Sequence, residues 1–302
     1  MAINSRHHRT LRQQEIWASI WLVLPSLLII LGVALLPIVI TFLLSFTKTK
    51  ISNPVPHDFV GISNYISFLS NPTFWNTIRR TAYFTFVSVG VELLLGLLLA
   101  LLIQSHPPGW RFLRISLIIP WAVPTIVNGA LWRWIYNADY GALNALLYQL
   151  GLIQHYIPFL TRPFLSLNLV VLADIWHSVP FVALILQAAL ATVPDELEEA
   201  AAVDGANAFR RLLSIRLPLL RPAILVILVI RTVEAFRVFD IVYVITQGGP
   251  AFGTVTISYL TYLETFSYGN LGSGSSLSFL ISMFTLAMAL VYFQLFYRAR
   301  ES

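Results

Sequence analysis

The run "VELLLGLLLALLI", Val91 to Ile103, decides what kind of chain this is. It is apolar at consecutive positions, whereas a membrane-barrel strand alternates apolar and polar residues and a surface helix keeps a polar stripe. The run therefore reads as a helix that is oily on all sides. Extended back to Thr81 it is long enough to cross a bilayer, which takes roughly 20 mostly apolar residues. Five more stretches of this kind lie near residues 17–46, 112–135, 164–191, 219–246 and 277–297. The expected fold class is an all-α membrane protein with six transmembrane helices. Composition agrees: 57% of the 302 residues are hydrophobic and 11% charged, too little polar surface for a water-soluble domain.

The first apolar segment is longer than the core of a cleaved signal peptide and lacks a small-x-small site after it, so it is expected to be retained as the first span. Residues 1–16 then form a cytoplasmic tail and 17–302 the transmembrane domain. With no cysteine there is no disulfide framework, thiolate metal site or thiol chemistry. The net charge of +5 comes from loop arginines rather than from a basic, aromatic-interleaved surface, so nucleic acid is not an expected partner; membrane lipid is. Basic residues resist translocation. Six spans place 11 of the 19 Lys and Arg residues on the side of both termini, among them Arg6, Arg9, Arg12, Arg298 and Arg300, against six on the other. The predicted orientation has both termini in the cytoplasm.

External loops one and three carry turn residues and short helical pieces, "YNADYGALNALLYQLG" (136–151) among them, without a catalytic constellation. Loop four, residues 192–218, differs. After Pro194, acidic residues from Asp195 to Glu199 suit the positive end of a helix. Ala200 to Ala202 form helix with almost no bulk. Gly205 permits a sharp turn, a second short helix is expected over 206–213, and Pro218 and Pro222 lead into span five. The reading is a compact cytoplasmic helix–turn–helix whose small-residue face admits a partner closely.

The spacing within this loop resembles a known signature. Glu199-Ala200-Ala201, three residues, Gly205, nine residues, Ile215, one residue, Leu217-Pro218 is similar to the EAA loop of permease subunits from binding-protein-dependent ABC importers. "IIPWAVPTIVNGALWRWIYN" (Ile118–Asn137), "DIWHSVPF" (Asp174–Phe181), "AFRVFD" (Ala235–Asp240) and "TQGGP" (Thr246–Pro250) resemble the carbohydrate branch, the class of the larger maltose-transporter membrane subunit. The likeness covers roughly residues 15–300. It implies a type I importer permease bundle in a bacterial inner membrane, a second homologous permease, an ABC ATPase dimer and an external solute-binding protein. ATP and Mg would be used by the ATPase, with no cofactor on this chain. Glu199, Ala200, Ala201, Gly205, Ile215, Leu217 and Pro218 would form the coupling element, with Glu199 meeting a basic group of the ATPase.

Ionisable groups inside spans are costly and are functional candidates by default. Span five holds Arg231, Glu234, Arg237 and Asp240, alternating in sign at three-residue steps so that neighbours can pair. Either they form a self-neutralising ladder or Arg231 and Glu234 reach a solute. In span four Asp174, Ser178 and Phe181 share a face, while Trp176 points away unless Pro180 unwinds the helix. By the resemblance, the solute pathway would comprise Trp121, Thr125, Asp174, Trp176, Ser178, Phe181, Arg231, Ala235 and Val238, to which Glu234 is added. A carboxylate beside aromatic faces suits sugar hydroxyls. His177 reads as a bundle hydrogen bond, and Glu92 faces a protein interior with no role assigned.

No G-x-x-x-x-G-K-[ST] motif is present, so ATP hydrolysis would belong to another chain. No catalytic or metal-binding residues are expected. An ion-coupled secondary transporter would show a three-plus-three repeat, which is not seen. An intramembrane enzyme built on Asp174 and His177 lacks a nucleophile or metal set.

Overall fold

The structure, a computed structural model, describes residues 5–56, 58–106 and 108–301, with side chains described for 15–56, 58–106, 108–112 and 114–294. Residues 1–4 of the expected tail, and the side chains of Arg6, Arg9, Arg12, Arg298 and Arg300, lie outside the described residues. The chain divides into two compact units, Met1–Ser67 with Glu264–Phe279 and Phe68–Leu263 with Leu280–Ser302.

In the first unit, α1 (Ser5–Ile30) and α2 (Leu36–Leu44) are joined through a π-helical turn, Leu31–Leu35. Helix thus begins at Ser5, inside the segment expected to be a tail. Glu15–Leu44 is long and apolar enough to cross a membrane, and its side chains are mostly exposed, Leu22 at 79% and Val33 at 72%. Such a surface is stable only where lipid or another protein covers it. Beyond α2 the chain turns back under a short helix, α3 (Ser63–Leu69). Asn64 Nδ2 donates to the Ser45 and Thr47 carbonyls, both at 2.9 Å, and the Tyr65 hydroxyl donates to Ser45 Oγ at 2.7 Å. The two Asn64 bonds satisfy carbonyls just beyond the last residue of α2.

The second unit is built on α4 (Pro72–Gln104), α5 (Trp110–Ala122), α6 (Thr125–Ile135), the short α7 (Ala142–Gln149) and α8 (Pro163–Leu190). It continues through α9 (Asp195–Val203), α10 (Ala208–Arg211), α11 (Leu217–Phe236), α12 (Asp240–Ile245) and α13 (Ile257–Tyr262). The last helix, α14, runs Leu271–Glu301. Asn71 caps α4 by accepting from Thr73 N at 2.8 Å, with Pro72 in the first turn where no N–H is needed. Helices α4, α8 and α11 meet in a core of Ala100, Val182, Leu186, Leu190, Leu220 and Ile227, each at most 1% exposed. α4 and α8 approach closely at Gly96, where an added Cβ would lie 2.9 Å from Val182 Cβ and 3.2 Å from Ala183 N.

Among the described residues five helices are long and apolar enough to span, or six if α5 and α6 count as one. Two expected spans are broken. The stretch 112–135 bends by 97° between α5 and α6. Pro124 drives the residue before it out of the helical region, so Val123 is extended at φ −73°, ψ 127°. The stretch 219–246 breaks between α11 and α12, where Phe239 sits at φ −135°, ψ −60°. The Val238 carbonyl released there accepts from Thr256 Oγ1 at 2.9 Å. Other boundaries shift as well: α4 starts at Pro72 rather than at 81, and α14 at Leu271 rather than at 277. Irregular backbone at membrane depth is tolerated only where it is buried in protein or lines a cavity. Both breaks border the same cavity.

Candidate functional site

The two breaks and the middle of α8 enclose a cavity of about 380 Å³. α5 and α6 contribute Trp121, Thr125 and Asn128; α8 contributes Asp174, His177, Ser178 and Phe181. α11, the break and α12 supply Arg231, Glu234 and residues 237–241. The Trp121 and Phe181 rings stack with centroids 5.8 Å apart and planes at 25°. Thr125 Oγ1 donates to Asp240 Oδ2 at 2.6 Å, tying the start of α6 to the start of α12.

The dominant electrostatic feature is Arg231. Its Nε donates to Glu92 Oε2 at 2.8 Å and its Nη2 to Glu92 Oε1 at 3.0 Å, a bidentate pair between α11 and α4. Nη2 also donates to Asp174 Oδ2 at 3.3 Å and Nη1 to Glu234 Oε2 at 2.6 Å. Arg231 is 7% exposed and Glu92 fully buried, whereas the Glu234 side chain is 58% exposed. A guanidinium has five N–H donors in a fixed fork; here it holds three helices around one point.

The expected ladder along span five forms only in its first rung. Arg231 pairs with Glu234, but the helix ends at Phe236, so Arg237 and Asp240 lose the three-residue spacing that would set them side by side. Asp240 turns to Thr125 instead, and among the described residues Arg237 forms no ion pair. Eight of the ten expected pathway residues line the cavity; Trp176 and Ala235 do not. α8 stays helical through Pro180, so no unwinding turns Trp176 inward, and its ring packs edge-on against Trp132 with centroids 5.9 Å apart. Ala235 is buried at 2% exposure and is not among the residues that line the cavity. His177 and Asp174 do not form the dyad that an enzyme would need. His177 Nε2 donates to the Val123 carbonyl at 3.0 Å, exposed by the α5–α6 break, and Asp174 is engaged by Arg231.

Two residues of this site went unassigned at the level of sequence. Glu92 is singled out by the rule that an ionisable residue in a span is functional, but its partner lies 139 positions away. Asn128, 1% exposed, donates through Nδ2 to the Ala173 carbonyl at 3.2 Å, while its Oδ1 has no hydrogen-bond partner among the described residues. A lone amide in an apolar stretch was the only signal.

The second candidate element is the hairpin of α9 and α10. The N–H of Gly205 donates to Ala202 O at 3.1 Å and that of Ala206 to Ala201 O at 2.9 Å, with Gly205 at φ 80°. This double closure ends a helix on a left-handed residue, which favours glycine. Asn207 Oδ1 then accepts from Arg210 N at 2.8 Å and starts α10. The expected separate helix over 206–213 is shorter: α10 spans Ala208–Arg211 and passes through a π-helical turn, Leu212–Arg216, directly into α11. Pro218 lies in the first turn of α11 and breaks nothing.

Glu198 closes the hairpin. Both its oxygens accept from Arg216, at Nε and Nη2, and Arg211 Nη1 stands 3.8 Å away. The Arg216 hydrogen bond holds the Glu198 carboxyl below its ordinary range, against a smaller upward push from burial. Glu199 and Ala200 face outward and are exposed, with Val203 at 88% and Phe209 at 68% exposure beside them. Ala201, Ile215, Leu217 and Pro218 are half-buried.

The model of the family described as "Binding-protein-dependent transport system inner membrane component" matches residues 92–300. The trehalose/maltose transport system permease protein of Thermococcus litoralis is 39% identical over 282 residues, covering 93% of this chain and 94% of that one. The trehalose transport system permease protein of Mycobacterium tuberculosis is 36% identical over 286 residues, covering 94% and 90%. Among solved structures, a chain from the crystal structure of a bacterial ABC transporter involved in the import of the acidic polysaccharide alginate shares the fold. It has a TM-score of 0.82 at 20% identity, covering 97% of this chain and 99% of that one. The chain belongs to the family of binding-protein-dependent transport system inner membrane components.

Proposed function

We propose that this chain is one permease half of an ATP-driven importer that carries an oligosaccharide, glucoside or similar polyhydroxylated solute into the cytoplasm. The cavity carries the reading. It sets carboxylate and amide acceptors beside a stacked Trp121–Phe181 pair, at the two places where spanning helices are interrupted. Hydroxyl groups donate to carboxylates in strong, charge-assisted bonds, and the apolar faces of sugar rings lie against aromatic rings. The names of the relatives support the same substrate class.

In this reading a second permease completes the pathway, an external solute-binding protein delivers the cargo, and a cytoplasmic ATPase dimer uses ATP and Mg. The α9–α10 hairpin, with Glu199, Ala200 and the apolar Val203 outermost and Ala201 half-buried behind them, seats on the ATPase. Both termini face the cytoplasm. Movement of the docked hairpin as the ATPase dimer closes would bias the permeases between inward-facing and outward-facing states, since only contacts that differ between two states can couple them. Uptake of radiolabelled disaccharides by cells expressing the whole system tests the reading. Asp174→Ala is expected to abolish at least 90% of uptake while the chain still co-purifies with its partners. Undiminished uptake removes Asp174 from the pathway.

A further inference from the structure

The cavity holds two guanidinium groups, Arg231 and Arg237, against the carboxyl groups of Asp174, Glu234 and Asp240 on its wall and Glu92 behind Arg231. Arg237 forms no ion pair among the described residues but shares the wall with three carboxyl groups, and four of the five Arg231 donors are committed to carboxylates. Two of those four go to Glu92, which is itself fully buried and takes no other part in the wall. Asn128 adds a buried acceptor, Oδ1, that no donor among the described residues satisfies. An unsatisfied buried acceptor calls for a donor from a ligand or water. A sugar hydroxyl is such a donor.

From this arrangement, and resting on the carbohydrate reading above, we infer that Glu92 sets the charge selectivity of the cavity. By occupying the Arg231 fork it leaves a site that accepts uncharged polyhydroxylated solutes and rejects saccharides bearing an acid group. Glu92 is a positioning residue here: it acts on the solute only through Arg231. Glu92→Gln removes a carboxylate charge from behind Arg231, and the guanidinium then presents a less neutralised positive charge to the cavity. A hydrogen bond between charged groups strengthens binding by about tenfold or more.

The test measures direct binding to the full-length chain, purified with its partner permease in nanodiscs, by equilibrium dialysis. The probes are trehalose, maltose and cellobiose, each against the analogue with one hydroxymethyl group oxidised to a carboxylate. Wild type is expected to bind at least one neutral disaccharide about tenfold or more tightly than its uronate. In Glu92→Gln that ratio should move toward the uronate by about tenfold, Glu92→Asp should restore the wild-type preference, and Glu92→Gln/Arg231→Gln should lose the gain. A general packing defect would lower both affinities and leave their ratio alone. If Glu92→Gln fails to fold, wild type alone can still overturn the inference. Equal or tighter binding of the uronate by wild type overturns the inference and leaves the carbohydrate reading standing. An unchanged ratio in folded Glu92→Gln also overturns it. If no saccharide of either kind binds, the carbohydrate reading falls and the inference falls with it.

Discussion

At the scale of single residues, the site turns on how Arg231 is satisfied. A charge buried among apolar helices is stable only when paired and fully hydrogen-bonded, and Glu92, Asp174 and Glu234 together meet that demand. Removing one partner from a buried pair costs about 3–5 kcal/mol, because the other charge stays behind unpaired. Glu92→Leu is therefore expected to lower the thermal stability of the purified permease pair sharply, and Glu92→Leu/Arg231→Met to be more stable than the single variant. Differential scanning fluorimetry in nanodiscs distinguishes the two; a double variant less stable than Glu92→Leu would refute the cost of leaving Arg231 without Glu92. Span five shows how far single residues could be read. The alternating charges predicted neighbour pairing, and Arg231–Glu234 forms it. The helix break at 237–239 sends Asp240 to Thr125 instead, a partner in another helix that spacing along the chain does not reveal.

At the scale of elements, two glycines mark where backbone geometry is decisive. Gly205 sits at φ 80° with open space around the position a Cβ would take, so Gly205→Ala suffers only the left-handed strain, about 1–2 kcal/mol. Gly205→Pro cannot adopt that φ and loses the N–H bonded to Ala202 O. We expect Gly205→Ala to keep most uptake and Gly205→Pro to lose it while ATP hydrolysis persists; full uptake in Gly205→Pro would refute the coupling role of the hairpin. Gly96 is a packing glycine, and Gly96→Ala should destabilise by about 1–3 kcal/mol because α4 and α8 must separate. The Glu198–Arg216 bond gives the hairpin a pH response. Since the folded carboxyl lies below its ordinary value of 4.5, its contribution is complete above that value and is lost as pH falls through the lowered one. Hydrogen exchange over residues 195–216, corrected for intrinsic rates, should show loosening below about pH 4.5 in wild type. Glu198→Gln should be loose throughout, with no step in that range.

At the scale of the whole molecule, the orientation expected from loop charge is open to direct measurement. The chain has no cysteine, so one introduced thiol reports one place. Val203→Cys on the hairpin and Leu152→Cys after α7, 88% and 67% exposed in the native chain, should react oppositely with an impermeant maleimide. Leu152→Cys is expected to label in intact cells, Val203→Cys only after permeabilisation. The reverse pattern would invert the topology.

The division between what the chain alone determines and what its folding decides follows from the range of the forces involved. Apolar runs are local, and a bilayer needs a given length of them, so the spans and the all-α class were legible from composition and periodicity. The hairpin was legible for the same reason: Pro194, the acidic turn, the alanines and Gly205 act on backbone within a few residues. The breaks at Val123 and Phe239 were not read, although Pro124 was in plain view, because proline also occurs in helices that merely kink. The pairing of Glu92 with Arg231 and the orphan acceptor of Asn128 required the tertiary structure. Burial turns an unpaired charge or amide into a large cost, and only the packing of α4, α6, α8 and α11 shows which groups are buried and what stands opposite them.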